Sequence, residues 1–144
     1  GSVRCVEETA PVEGTPFDFR EPHAIGERIG ADNQQLRNGG GYDHNWVIDR
    51  KTESGIEQVA TVWEPASGRT IEVLSDQPGL QVYSGNFFDG KSIGKYGKPQ
   101  RYRESLALET QKFPDSPNHD NFPSTVLRPG ETYTQVCIYK FGVK

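Results

Sequence analysis

The sequence is poor in apolar residues and has no long apolar run. Only 33% of its 144 residues are hydrophobic, and no stretch approaches the roughly 18 residues that a membrane-spanning helix requires. The first residues, GSVRCVEE, also lack the apolar stretch of a signal peptide. We therefore expect a soluble, cytoplasmic protein with no membrane partner, whose core comes from short strands rather than long helices.

Cysteine and clustered positive charge are scarce as well. Cys5 and Cys137 show neither C-x-x-C spacing nor a neighbouring histidine cluster, so the sequence predicts no metal site. It leaves open whether the two cysteines form a disulfide between the chain ends, and we favour two reduced thiols. The net charge is −4 and Lys and Arg are scattered singly, which argues against a nucleic-acid partner.

The signatures of nucleophilic and phosphate-binding enzymes are also missing. The sequence contains no G-x-S-x-G motif, no histidine next to either cysteine and no phosphate-binding loop. The sequence therefore gives little support to nucleophilic catalysis or phosphate binding.

What the sequence does contain is a series of short strand-like segments separated by glycine and proline. Their alternation and their flanking turn residues predict about eight strands and no helix longer than one turn, the one helical turn lying within residues 25–36. The clearest strands are residues 3–8, 45–49, 56–65, 69–76, 80–84, 105–110 and 132–141. We expect residues 1–144 to form a single all-β domain.

The segment SLALETQKFPDSPN, residues 105–118, places a glutamate at the end of a predicted strand. Alternation puts Leu106 and Leu108 on the core face and Glu109 on the other face. Two following prolines then stop the ladder of hydrogen bonds, so the segment leaves the sheet at a rim. Such a glutamate could act as a general base, although composition alone favours a solvated surface carboxylate.

Two further pairs of residues could bind a polar ligand. Asp43 and His44 follow three consecutive glycines, where an acid and an imidazole could hydrogen-bond a ligand. Alternatively, Asp43 only caps the turn and His44 only packs or faces water. Gln81 shares a strand face with Tyr83, and an amide beside an aromatic ring suits a sugar. A core tyrosine beside a solvated glutamine is the alternative.

Four separated motifs occur in the order and spacing of one enzyme family. They are TPFDFR, GGYDHNWVID, LSDQPGLQVYSGNFFDG and LALETQKFPDSPNHDNFPSTVLRPGETY. Together they resemble the C-terminal half of the aldose 1-epimerases, the galactose mutarotases. The resemblance implies part of a large twisted antiparallel β-sandwich that interconverts the α and β anomers of galactose, glucose and related aldoses without a cofactor.

The resemblance also implies a role for each candidate residue. Glu109 would take the proton from the C1 hydroxyl, while Asp43 and Gln81 would hydrogen-bond the sugar beside aromatic rings. Ring opening needs an acid as well, because the ring oxygen must receive a proton. In the family this acid is a histidine, assisted by a second histidine and an arginine, all from the N-terminal half. The histidines of this sequence do not match it: His23, His44 and His119.

The expected function is therefore that of an aldose 1-epimerase acting on an aldohexose, to which this chain supplies the base. The alternatives are a catalytically inactive carbohydrate-binding fragment and a purely structural β-domain. Both faces of the predicted strand at 132–141 are apolar, and exposed strand edges invite pairing. We therefore expect a homo-oligomer or an assembly with a complementing N-terminal fragment.

Overall fold

The computed structural model describes residues 2–4 and 9–144, with side chains from residue 9 onward, and confirms an all-β chain. In chain order, the strands of the described part are β1 (Ser2–Arg4), β2 (Thr9–Pro11), β3 (Asp43–Val47), β4 (Glu57–Trp63), β5 (Arg69–Ser75), β6 (Gly79–Tyr83), β7 (Ala107–Gln111) and β8 (Cys137–Val143). One sheet has the strand order β2-β1-β3-β6-β7 and the other the order β4-β5-β8.

Helical structure is confined to short pieces. The helices are α1 (Ile25–Arg28) and α2 (Gln34–Gly39), and single 3₁₀ turns lie at Lys95–Gly97 and Ser116–Asn118. The sequence predicted one helical turn in the region of α1 and α2, whereas the structure has two helices. Asn33 explains the second, because its side chain accepts hydrogen bonds from the N–H groups of Gln35 and Leu36 at the start of α2. Across residues 2–4 and 9–144, no helix is long and apolar enough to cross a membrane.

Most predicted strands lie where they were expected, but the last one begins later. The ladder between β5 and β8 starts at the pair Ser75 and Cys137, not at residue 132. Just before it, the N–H of Val136 donates to the carboxylate of Asp76 at 3.1 and 3.2 Å. The N–H of Val136 thus bonds the side chain of Asp76 and not a backbone carbonyl of a neighbouring strand. Residues 5–8 of the first predicted strand, including Cys5, lie outside the described residues, and Cys137 is a free, half-buried thiol.

Contacts between residues within the chain divide it into two compact units. The first comprises Gly1–Val47 and Gln81–Glu109, and the second comprises Ile48–Leu80 and Thr110–Lys144. The expectation of a single domain from the chain length stays a prediction. All three site residues predicted from the sequence belong to the first unit.

An aromatic core organises the first unit. Phe17 and Tyr42 are almost completely buried and meet edge to face, with ring centroids 5.9 Å apart. The polar atoms of this core are satisfied, since the Tyr42 hydroxyl donates to the Pro16 carbonyl and the Trp46 indole N–H donates to the Phe17 carbonyl, both at 2.9 Å. Buried Val12, Ile29 and Leu36 complete the cluster. Since Trp46 packs on this cluster, the opposite face of β3, which carries Asp43, points away from it.

In the second unit, β5 is flanked by β4 and β8, both antiparallel to it. Val73 on β5 is fully buried, whereas Phe141 and Val143 on β8 are 75% and 79% exposed. Strand β8 is the outer strand of its sheet. Strand β8 therefore exposes apolar side chains to solvent. Within the described part of the chain, it also has one edge without a strand partner.

Candidate functional site

Asp43 and Gln81 are brought together by the pairing of neighbouring strands. Asp43 begins β3 and Gln81 lies on β6, the next strand in the sheet. The side-chain Nε2 of Gln81 donates a hydrogen bond to Oδ1 of Asp43 at 2.9 Å. Asp43 is exposed and Gln81 is half-buried. The pair therefore presents a carboxylate oxygen and an amide at one place on the surface.

The glycine loop before Asp43 is held by a network that the sequence reading missed. Nδ2 of Asn86 donates to the carbonyls of Gly39 and Tyr42, both at 2.9 Å, and the Ser84 hydroxyl bonds Oδ1 of Asn86 at 2.7 Å. Gly41 has φ +146°, and a Cβ there would collide with the Asn86 amide. The loop thus positions the start of β3. The sequence signal for this network was the run Ser84-Gly85-Asn86, which places small polar residues beside a glycine at the end of β6.

His44 is a packed residue, which is one of the two alternatives that the sequence left open. It is 5% exposed, and its ring lies against Phe17 with centroids 4.7 Å apart. Its Nδ1 accepts the backbone N–H of Asp43 at 3.0 Å, and the ring also bonds the backbone of Gln35. Burial lowers the pKa of His44, while Asp43 and the Gln35 bond partly oppose this. His44 is therefore a neutral, structural imidazole.

We expect the stability of the protein to fall as the pH drops from 7 to 5, in part because of His44. Its folded-state pKa is lowered, so the unfolded chain takes up a proton near pH 6.5 before the folded chain does. The stability that comes from keeping His44 neutral is fully present above this pH and is lost as the pH falls towards the folded-state pKa of His44. Each unit of lowering corresponds to about 1.4 kcal/mol of unfolding free energy.

The measurement is urea unfolding at pH 5, 6 and 7 for the wild type and for His44→Gln. The variant should lose less stability than the wild type over this range. His23→Gln is the matched control, because His23 is a partly exposed residue whose Nδ1 lies 3.1 Å from Glu27. Equal pH slopes for the wild type and His44→Gln would contradict the assignment.

Glu109 lies on β7, which neighbours β6 in the sheet. Its side chain is exposed, and among the described residues its carboxylate makes no hydrogen bond or ion pair, including none to Asp43 or Gln81. Leu106 and Leu108 are half-buried, so the prediction that they belong to the core holds only in part. Glu109 is thus a solvent-accessible carboxylate one strand away from Gln81.

Aromatic rings follow Gln81 along β6 and the turn after it. Tyr83 and Phe87 are stacked, with ring centroids 6.2 Å apart and an angle of 18° between the planes. The backbone N–H of Phe87 donates to the Tyr83 hydroxyl at 3.0 Å. Phe88 meets Tyr83 edge-on, and Phe87 is 69% exposed. An exposed aromatic ring, that of Phe87, therefore lies in the turn that follows the strand carrying Gln81.

By its fold and its site, the chain is an all-β protein with carboxylate, amide and aromatic groups on adjoining strands. A family model described as aldose 1-epimerase matches residues 3–140. The chain is 43% identical to the galactose mutarotase of Mus musculus over 134 residues and 39% identical to the aldose 1-epimerase of Escherichia coli over 132 residues. The chain belongs to the aldose 1-epimerase family, as its sequence motifs predicted.

The likeness extends to a solved structure, the GalM/aldose epimerase homologue from C. elegans. The TM-score is 0.79 at 30% sequence identity, and the match covers 94% of this chain but 39% of that chain. The two curated relatives are covered to 37% of their length. The prediction of a galactose-mutarotase-like β-sandwich is confirmed, and the chain spans less than two-fifths of the proteins that it resembles.

Proposed function

We propose that this chain supplies the general base and part of the sugar-binding site of an aldose 1-epimerase acting on galactose- and glucose-type sugars. The observation that carries the proposal is the 2.9 Å hydrogen bond between Gln81 and Asp43. It joins Asp43 on β3 to Gln81 on β6, and β6 is the strand that neighbours β7, which carries Glu109. Membership of the aldose 1-epimerase family supports the same reading.

Each residue has a defined part in this reaction. The Glu109 carboxylate takes the proton from the C1 hydroxyl, the bond between C1 and the ring oxygen breaks, and the ring oxygen receives a proton from an acid. The open-chain aldehyde then rotates about the bond between C1 and C2 and closes on its other face, which inverts C1. In this closing step Glu109 returns its proton to the C1 oxygen and the acid takes back the proton of the attacking hydroxyl. Asp43 accepts from sugar hydroxyls, Gln81 adds an amide contact, and Phe87 offers a flat apolar surface to the sugar ring.

We expect the acid to come from outside the first compact unit, and His119 of the second unit is itself held by Asp115. His44 cannot serve, because both sides of its ring are engaged and burial keeps it neutral. His23 pairs with Glu27 on the helix that begins at Ile25. We infer that the acid is supplied by a complementing N-terminal polypeptide, with a second copy of this chain as the other candidate partner.

The same observation favours a second candidate function. A chain that holds Asp43, Gln81 and Glu109 without an acid can bind a sugar and turn nothing over. In that case it is a carbohydrate-binding fragment, and its affinity should be weak because a free sugar offers little apolar area.

Polarimetry of freshly dissolved α-galactose tests the proposal. The chain alone should leave the spontaneous rate of mutarotation nearly unchanged, and the chain joined to the N-terminal part of an aldose 1-epimerase should accelerate it. A completed protein that still fails to accelerate mutarotation would overturn the catalytic proposal. Galactose titration followed by NMR separates the remaining readings, since a binding fragment shows shifts at Gln81 and a structural domain shows none.

A further inference from the structure

Asn45 is a deeply buried side chain with unmet hydrogen-bonding capacity. It is 1% exposed, and neither its Oδ1 nor its Nδ2 has a hydrogen-bond partner among the described residues. Oε1 of Gln81 is likewise buried and unpartnered. Nearly all buried polar side chains in folded proteins have partners, so three such atoms in one sheet require an explanation.

The strand register sets the two residues that carry these unpaired atoms opposite one another. The N–H of Ser84 donates to the carbonyl of Tyr42 at 3.0 Å. Counting from this bond along antiparallel strands sets Asn45 directly opposite Gln81. Residues that are opposite in such a pair have Cβ atoms about 4.5–5.5 Å apart. Asp43 lies two residues before Asn45 and therefore shares its face of β3.

The other side of Asn45 is closed by a further strand. In the ladder between β1 and β3, Asn45 is in register with Arg4. Strand β3 is thus the middle strand of its sheet, with β1 on one side and β6 on the other. Asn45 is 1% exposed and does not reach bulk water, and the residue opposite it on β6 is Gln81.

We propose that Asn45 is a positioning residue for the sugar site. Its Nδ2 holds Oε1 of Gln81 through a single enclosed water molecule and so, together with the Asp43 carboxylate, fixes which way the Gln81 amide faces. One N–H of Gln81 is already committed to Asp43. The other N–H then remains as a donor for the ligand, next to the acceptor oxygens of Asp43.

This arrangement defines the kind of group that the pair recognises. A sugar hydroxyl can donate its proton to the Asp43 carboxylate and accept the free N–H of Gln81 on its oxygen. A flipped Gln81 amide would present an acceptor beside the carboxylate, and one hydroxyl could not satisfy both. The inference rests on the proposed sugar-binding function and extends it to the orientation of one amide.

The test uses the 144-residue chain and its Asn45→Leu variant, which has a similar volume and no polar atoms. The variant should still fold, with a melting temperature near or somewhat below that of the wild type, because leucine fills the space but leaves Oε1 of Gln81 without its partner. In ¹⁵N NMR spectra, the side-chain NH₂ signals of Gln81 should shift or broaden. Galactose affinity should fall about tenfold, in line with the loss of one well-oriented hydrogen bond.

Asn121→Leu, which changes an exposed asparagine of the second unit, is the matched control and should change neither readout. Asn45→Ala serves as a second variant if leucine does not fit. Unchanged Gln81 NH₂ signals in the folded Asn45 variant would overturn the inference, whatever the sugar result. A wild-type chain that shows no galactose-dependent shifts would instead count against the proposed sugar binding, and the Gln81 signals would still decide the role of Asn45.

Discussion

Replacing Glu109 with glutamine is expected to lower the mutarotation rate of the completed protein by roughly 10²- to 10⁴-fold. The amide keeps the shape of the side chain but cannot accept the proton of the C1 hydroxyl. Because Glu109 is exposed and unbonded among the described residues, the fold should not depend on its charge. The melting temperature of Glu109→Gln should therefore match that of the wild type.

Polarimetry and circular dichroism on the same samples make this measurement. Glu53→Gln is the control, since Glu53 is an exposed glutamate of the second compact unit. An anomerisation rate for Glu109→Gln equal to that of the wild type would refute the general-base assignment. A large loss of stability would show instead that Glu109 supports the fold.

The second large effect concerns association through β8. This outer strand exposes Ile138, Tyr139, Phe141 and Val143, and such an edge can pair with another chain. We expect the isolated chain to associate as its concentration rises. Phe141→Lys should shift it towards the monomer, because a charged side chain on an edge strand discourages pairing.

Light scattering over a dilution series measures the effect. Tyr96→Lys is the control, because Tyr96 is 95% exposed but lies in the 3₁₀ turn rather than on β8. Should the wild-type chain remain a 16.1 kDa monomer at all concentrations, the open face of β8 is not an association surface. If Tyr96→Lys acts like Phe141→Lys, net charge and not the strand edge is the cause.

Local sequence determined the strands and the family. Alternation and turn residues set the bounds of β4, β5 and β6 to within about two residues, because these features act over short distances. The family motifs likewise pointed to Asp43, Gln81 and Glu109 before any contact was known. Where a side chain replaced a backbone partner, as Asp76 does for Val136, the local pattern placed the start of β8 too early.

Only the tertiary structure decided how these residues act on one another. The hydrogen bond between Asp43 and Gln81 joins positions 38 residues apart. It depends on the register between β3 and β6, which the local sequence pattern does not predict. The burial of His44 and the unmet hydrogen bonds of Asn45 also depend on which strands and rings cover them. Sequence alternation tells which face a side chain takes, whereas partners and solvent access arise only when distant segments meet, because both are properties of the packed sheet.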